Sequence, residues 1–211
     1  RKVDWAGAAA LSVALASLTL VTSLGGRSFG WTSAPALGLI ALTIAAGAAF
    51  VMIELRAEEP LLPLGLFRRN IFRNTAFIGF ISGVAMLGSV TFLPLYLQMA
   101  QGLSPTQSGL MLVPMTAGIV ISSNLSGRYM GKTGRYRILP MIGLLLVATG
   151  AFTLSFISAG TSLVTFGLTI LLIGLGMGGI MPVITTAVQN DVPHAQLGTA
   201  TAAGVMFRQI G

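Results

Sequence analysis

The 211-residue sequence contains no cysteine, one histidine and five acidic residues. Without cysteine, disulfides and thiolate metal sites are excluded. A single imidazole, His194, cannot build a metal centre by itself, so neither metal nor cofactor is expected. Charge of both signs is scarce, at 8% of residues against about 25% in an average soluble domain. No nucleophile, base and orienting group form a recognisable set, and no paired ionisable groups stand at matching depth, so an enzyme is not expected. Alternating ten-residue segments are missing, which excludes a closed membrane barrel. No signal peptide is visible, because Arg1-Lys2-Val3-Asp4 leads straight into a full-length apolar run.

What is present is oil: 54% hydrophobic residues and a mean hydropathy of +0.88. A bilayer core about 30 Å thick needs roughly 20 apolar residues in a helix. Backbone groups in lipid must pair within their own segment, so such runs are helices. Six segments qualify: 5–24, 32–55, 75–98, 104–126, 138–158 and 162–189. A seventh starts after Asp191-Val192-Pro193 and is unfinished at Gly211. The expected fold is an all-α integral membrane bundle of six complete transmembrane helices plus a truncated seventh. Both ends read as interior to a longer polypeptide. Pro35 falls near the first turn of the second segment, where a missing N–H costs little. Ser104-Pro105-Thr106-Gln107 reads as a capping box that opens the fourth segment. Pro114 should kink that helix and Pro182 should interrupt the sixth.

The net charge is +7, but the cations sit in short turns rather than along a surface stripe, so membrane lipids and not nucleic acid are the expected partner. If the helices alternate, ten of the twelve cations lie on one side and only Arg27 marks the other. Arg208 lies within the seventh segment. By the positive-inside rule the basic side, with the N-terminal edge, is cytoplasmic. The connection 56–74 mixes Leu61, Leu62, Leu64, Leu66, Phe67, Ile71 and Phe72 with arginines. It reads as a cytoplasmic interfacial segment or as an ordinary anchoring loop. It separates a helix pair, 1–55, from a partial bundle, 75–211.

The most informative stretch is 127–137, which holds four cations and three glycines and reads as a tight turn at the membrane surface. A phosphate loop is excluded. The glycine required five residues before Gly131 is Ser126, and a membrane helix precedes the stretch instead of a strand. Two readings stay open. The cations can simply anchor the turn. Alternatively, glycines that bend the backbone can hold them against helix C-termini and lipid phosphates as a conformational latch. The stretch resembles the signature of the major facilitator superfamily, G-x-x-x-D-[RK]-x-G-[RK]-x-[RK]. Gly127, Lys132, Gly134, Arg135 and Arg137 match it, and Gly131 stands where the signature has Asp. That departure removes the acid of the family's interhelical charge network.

Further stretches resemble the fourteen-helix drug:proton antiporters of that family. They are Asp4-Trp5, Gly30-Trp31-Thr32-Ser33, Glu54-Leu55-Arg56, Pro60-Leu61-Leu62-Pro63-Leu64, Leu66-Phe67-Arg68, Leu93-Pro94-Leu95-Tyr96-Leu97-Gln98 and Phe207-Arg208-Gln209-Ile210-Gly211. The resemblance implies that the first two helices are an extra pair inserted between two six-helix halves. The other five would belong to the C-terminal half, with the N-terminal half and the last helix missing. It implies a secondary transporter that exports hydrophobic or cationic small molecules in exchange for protons, in a plasma membrane of the bacterial inner-membrane type. Export of one metabolite, peptide or siderophore is an alternative, and a non-transporting scaffold or receptor is another.

Within the spans, Gly174, Gly176, Gly178, Gly179 and Pro182 mark either a flexible gate helix or close packing. Arg208, with Gln209 beside it, is the charge deep in a helix, roughly 17–21 Å from the cytoplasmic edge at about 1.5 Å per residue. It is assigned to the translocation path, with snorkelling to the outer surface as the alternative. The five acids, Asp4, Glu54, Glu58, Glu59 and Asp191, all fall near the cytoplasmic edge. The proton-coupling site is therefore expected in the missing half.

The topology is testable by cysteine labelling, for which the native sequence is already cysteine-free. An impermeant maleimide added from outside should label Gly102→Cys and spare Lys132→Cys. The reverse pattern would invert the orientation.

Overall fold

Apolar runs of this length fold as helices because no other local structure pairs every N–H and C=O inside lipid. A computed structural model describes residues 4–211, so the cations expected at Arg1 and Lys2 lie outside the described residues. The chain divides into two compact units, Arg1–Arg68 and Arg69–Gly211.

The first unit is a helix pair, α1 (Trp5–Leu24) and α2 (Ala34–Glu54). Asp4 caps α1, its carboxylate accepting the Gly7 N–H at 2.9 Å. Ser33 caps α2, and Pro35 sits in its first turn where no helical partner is lost. The two helices pack along each other, with the Thr43 hydroxyl donating to Ser17 Oγ at 2.8 Å across the seam. α2 ends at Glu54, a buried carboxylate that accepts the N–H groups of Leu61 at 3.1 Å and Leu62 at 3.2 Å. These bonds fold the chain back below the helix, and a 3-10 turn follows at Leu64–Arg68.

The second unit comprises α3 (Asn70–Gln101), α4 (Pro105–Leu110), α5 (Val113–Thr133), α6 (Ile138–Leu154), α7 (Leu163–Asp191) and α8 (Leu197–Ile210). The capping box before α4 is present. Ser104 Oγ accepts the Gln107 N–H at 3.2 Å while Gln107 Oε1 accepts the Ser104 N–H at 3.0 Å.

Three expectations need correction. Pro114 does more than kink the fourth helix: the chain turns at Met111 and Leu112, and α5 restarts with Pro114 in its first turn. A proline there lacks the N–H that would have continued the ladder. Pro182, in contrast, does not interrupt α7, which continues to Asp191. The basic stretch is not one tight turn, because α5 runs on through Gly127, Gly131 and Lys132 and stops only at Gly134, whose φ is +64°. Helical bonding does not end where the hydrocarbon does. A solvated face of Arg128 and Lys132 is compatible with helix, and Lys132 complements the negative C-terminal end. The all-α membrane bundle is as expected: among the described residues five helices are both long and apolar enough to span a membrane, counting Pro105–Thr133 as one. Ile138–Leu154 falls short of that length at 17 residues.

α7 is the axis of the second unit. Over its most apolar window it is 56% buried, whereas no other span among the described residues exceeds 28%. The contacts that bury it are backbone to backbone. A Cβ at Gly174 would collide with the Met115 carbonyl oxygen, and one at Gly178 with the Ile119 carbonyl oxygen, both on α5. On the other face, a Cβ at Gly143 of α6 would lie 2.7 Å from the Gly176 carbonyl oxygen. Leu93, Leu97, Met115, Phe166 and Ile170 form a buried cluster between α3, α5 and α7. At the other end, Arg69 Nη1 donates to the Asp191 carbonyl at 2.6 Å and pairs with Asp191 Oδ1 at 3.6 Å. A cation thus sits on the negative end of α7 and ties it to the start of α3.

These glycines divide into two classes with opposite expected behaviour. Gly174→Val or Gly178→Val overpacks the α5–α7 crossing, at a cost of about 1–3 kcal/mol or more. Gly127→Ala and Gly131→Ala enter helix with open space around them and should be neutral or gain up to about 1 kcal/mol. Thermal midpoints of detergent-purified protein check this. Equal midpoints for the two classes would refute the packing assignment.

Candidate functional site

Arg208 lies on α8, roughly 16 Å along the helix from Leu197 at about 1.5 Å per residue. Its backbone is pinned by α3, since a Cβ at Gly83 would collide with the Arg208 carbonyl. Its side chain is half-buried and turns toward α7, where Nη1 donates to the Met181 thioether sulfur at 3.3 Å. The guanidinium therefore lines a small cleft of about 40 Å³ between α3, α7 and α8, with Gly79, Met181, Thr185, Thr201 and Gly204 among its walls. Among the described residues no carboxylate lies within ion-pair distance of Arg208. Ser82, next to Gly83 on α3, is 2% exposed, and its hydroxyl has no hydrogen-bond partner among the described residues.

The other residues singled out in the sequence fall in different places. Gln209 is exposed and is not among the residues lining the cleft. Gly174, Gly176 and Gly178 are buried at the α5–α7 and α6–α7 crossings. Gly179 faces Ser122, whose Oγ would lie 3.4 Å from a Cβ placed there. Pro182 lies one turn beyond Gly178, and its carbonyl accepts the Thr186 hydroxyl at 2.8 Å. Gly127, Lys132, Gly134, Arg135 and Arg137 are all exposed. None of these cations makes an ion pair among the described residues, so the charges face solvent or headgroups. Asp4 and Glu54 sit at the ends of α1 and α2, and Asp191 ends α7.

The cleft's other walls were not singled out in the sequence. Their signal was the four-residue spacing of small residues: Gly79 of the wall with Gly83, which meets the Arg208 backbone, and Ala200 with Gly204 of the wall, each pair on one helix face. No group of three or more metal-ligating side chains occurs among the described residues.

Comparison with known proteins fits this architecture. The chain is 40% identical over 210 residues to a tetracycline resistance determinant of Streptomyces rimosus, covering 99% of this chain and 60% of that protein. It is 36% identical over 210 residues to the multidrug transporter protein MdtP of Bacillus subtilis, covering 99% of this chain and 38% of that protein. It is 29% identical over 211 residues to multidrug resistance protein 3 of the same bacterium, covering all of this chain and 41% of that protein. The chain thus spans less than two thirds of the length of each of these relatives. The model of the Major Facilitator Superfamily matches residues 5–211. A multi-pass helical bundle matched along nearly its whole length to that model belongs to the Major Facilitator Superfamily.

Proposed function

We propose that the chain is part of a proton-coupled multidrug efflux antiporter that works by alternating access in a plasma membrane, with its basic edge cytoplasmic. The observation that carries this reading is the alignment of nearly the whole chain with a tetracycline resistance determinant and with multidrug transporters. Under it, α1 and α2 are the extra helix pair, and α3 to α8 belong to the C-terminal bundle. The transported molecules are hydrophobic, and the family resemblance adds cationic ones. A membrane arginine facing a cleft rather than the lipid supports placing Arg208 on the translocation path. The cleft alone is far below the roughly 300–1,000 Å³ of a drug-sized pocket, so this chain supplies one wall.

Asp4, Glu54 and Asp191 sit at helix ends and Glu58 and Glu59 in the connection after α2, which supports locating the proton carrier elsewhere in the complete polypeptide. α7, fixed by glycine crossings and carrying Pro182 beyond them, is the candidate gate helix. The exposed cations from Arg128 to Arg137 are the candidate latch, one that grips lipid headgroups in the absence of an acid at position 131.

Proteoliposomes holding the full-length protein test the reading. With the lumen acidified, radiolabelled tetracycline should accumulate inside, and nigericin should abolish the accumulation. Uptake that ignores the pH gradient would end the antiport reading, and absence of any uptake would end the efflux reading for this compound. In the same assay Arg135→Ala should lower transport several-fold at normal protein levels. Gly134→Val should do the same, because forcing a β-branched residue to positive φ costs about 1–2 kcal/mol or more. Full activity in both variants would reduce the basic segment to an anchor.

A further inference from the structure

The efflux reading leaves the chemistry of Arg208 unexplained. A guanidinium carries five N–H donors and no acceptor. Among the described residues its one hydrogen-bond partner is the Met181 sulfur at 3.3 Å, a neutral and weak acceptor. The walls around it are mostly apolar, with glycines, Met181, Val188 and Val205 contributing. Such walls lower the local dielectric and so strengthen any charge–charge interaction. The backbone is pinned by the contact with Gly83, so the charge cannot leave by shifting the helix.

The size of the cleft narrows what can answer this charge. At about 40 Å³ it exceeds the roughly 10–15 Å³ needed by one water. A planar carboxylate is of this scale, whereas a whole drug is not. A carboxylate also matches the guanidinium fork, which binds it through two parallel hydrogen bonds. Thr185 and Thr201 line the same space, the Thr185 hydroxyl donating to the Met181 carbonyl at 3.2 Å.

We propose that the cleft at Arg208 is a subsite for an acidic oxygen group, a carboxylate or enolate carried by an otherwise apolar small molecule. This rests on the efflux reading and sharpens its substrate class. The molecules seated on this wall are acids or zwitterions, so the cationic substrates of the efflux reading meet it only where they also carry an acidic group.

The test uses the full-length protein in detergent and three matched probes: 1-pyrenebutyrate, its methyl ester and 1-pyrenebutylamine. Affinities are read from ligand-dependent thermal stabilisation. Partition into the micelle is common to parent and variants and cancels in their comparison. The parent should bind the acid roughly tenfold tighter than the ester, the scale of one hydrogen-bonded charge pair. Arg208→Gln should bring that ratio to about one while leaving the ester's affinity in place. Arg208→Lys, which keeps the charge without the fork, should leave an intermediate ratio. A parent that binds all three alike, or prefers the amine, overturns the subsite. That is the result expected if a carboxylate elsewhere in the polypeptide already neutralises Arg208. Equal loss of all three probes in Arg208→Gln also overturns it, by assigning Arg208 a structural role. Should Arg208→Gln fail to fold, an unchanged ratio in Arg208→Lys has the same force. Gradient-driven uptake measured in parallel separates the two ideas. Flux without acid preference removes the subsite and leaves the efflux reading, and acid preference without flux does the opposite.

Discussion

The close approach of α7 to α5 and α6 is the constraint on which the second unit depends. In lipid there is no hydrophobic push between helices, because a neighbouring side chain and a lipid tail are equally apolar. Association then rests on dispersion contacts, which fall off steeply with distance. Gly174 and Gly178 let the α5 carbonyls reach the α7 backbone, and Gly143 and Gly176 do the same for α6. With three helices locked in this way, α3 and α8 can close on the remaining side of α7. The Gly83 crossing between them is what holds Arg208 over the cleft.

Polar groups are used sparingly and mostly at helix ends. Gln98 donates to Ser108 Oγ at 3.0 Å and Gln101 to the Thr161 carbonyl at 3.3 Å, which joins α3 to α4 and to the turn before α7. At the opposite end Arg69 joins α3 to α7. The two ends of α3 are therefore fastened by hydrogen bonds, and its middle is seated by glycines. Ser82 is the exception, a buried hydroxyl in the middle of α3 with no partner among the described residues. A buried polar atom without a partner carries the full cost of desolvation.

The features legible in the sequence were the local ones. Ser104 and Gln107 are three residues apart and satisfy each other, so their type and spacing determine the cap. The apolar runs gave the helices because lipid allows no other backbone pairing. The end of α5 was misplaced because charge reports where the hydrocarbon stops, whereas helical bonding stops at the positive φ of Gly134. The spacing of Gly174 and Gly178 was visible, but what they touch was not, since the Met115 and Ile119 carbonyls are backbone atoms that any residue would supply. The meeting of Arg208 with Met181, 27 positions earlier, depends on how α7 and α8 cross, and no local pattern encodes that.

The continuation of α5 through Thr133 has a mechanical consequence. A flexible loop would absorb any pull on its charges. A continuous helix transmits it as torque. Arg128 and Lys132 are fixed to the same rod as Met115, Gly118 and Ile119, which lie in the crossing with α7. A force applied to those cations works on a lever whose fulcrum is that crossing. The stiffness of the helix then determines how much of the force reaches the glycines of α7.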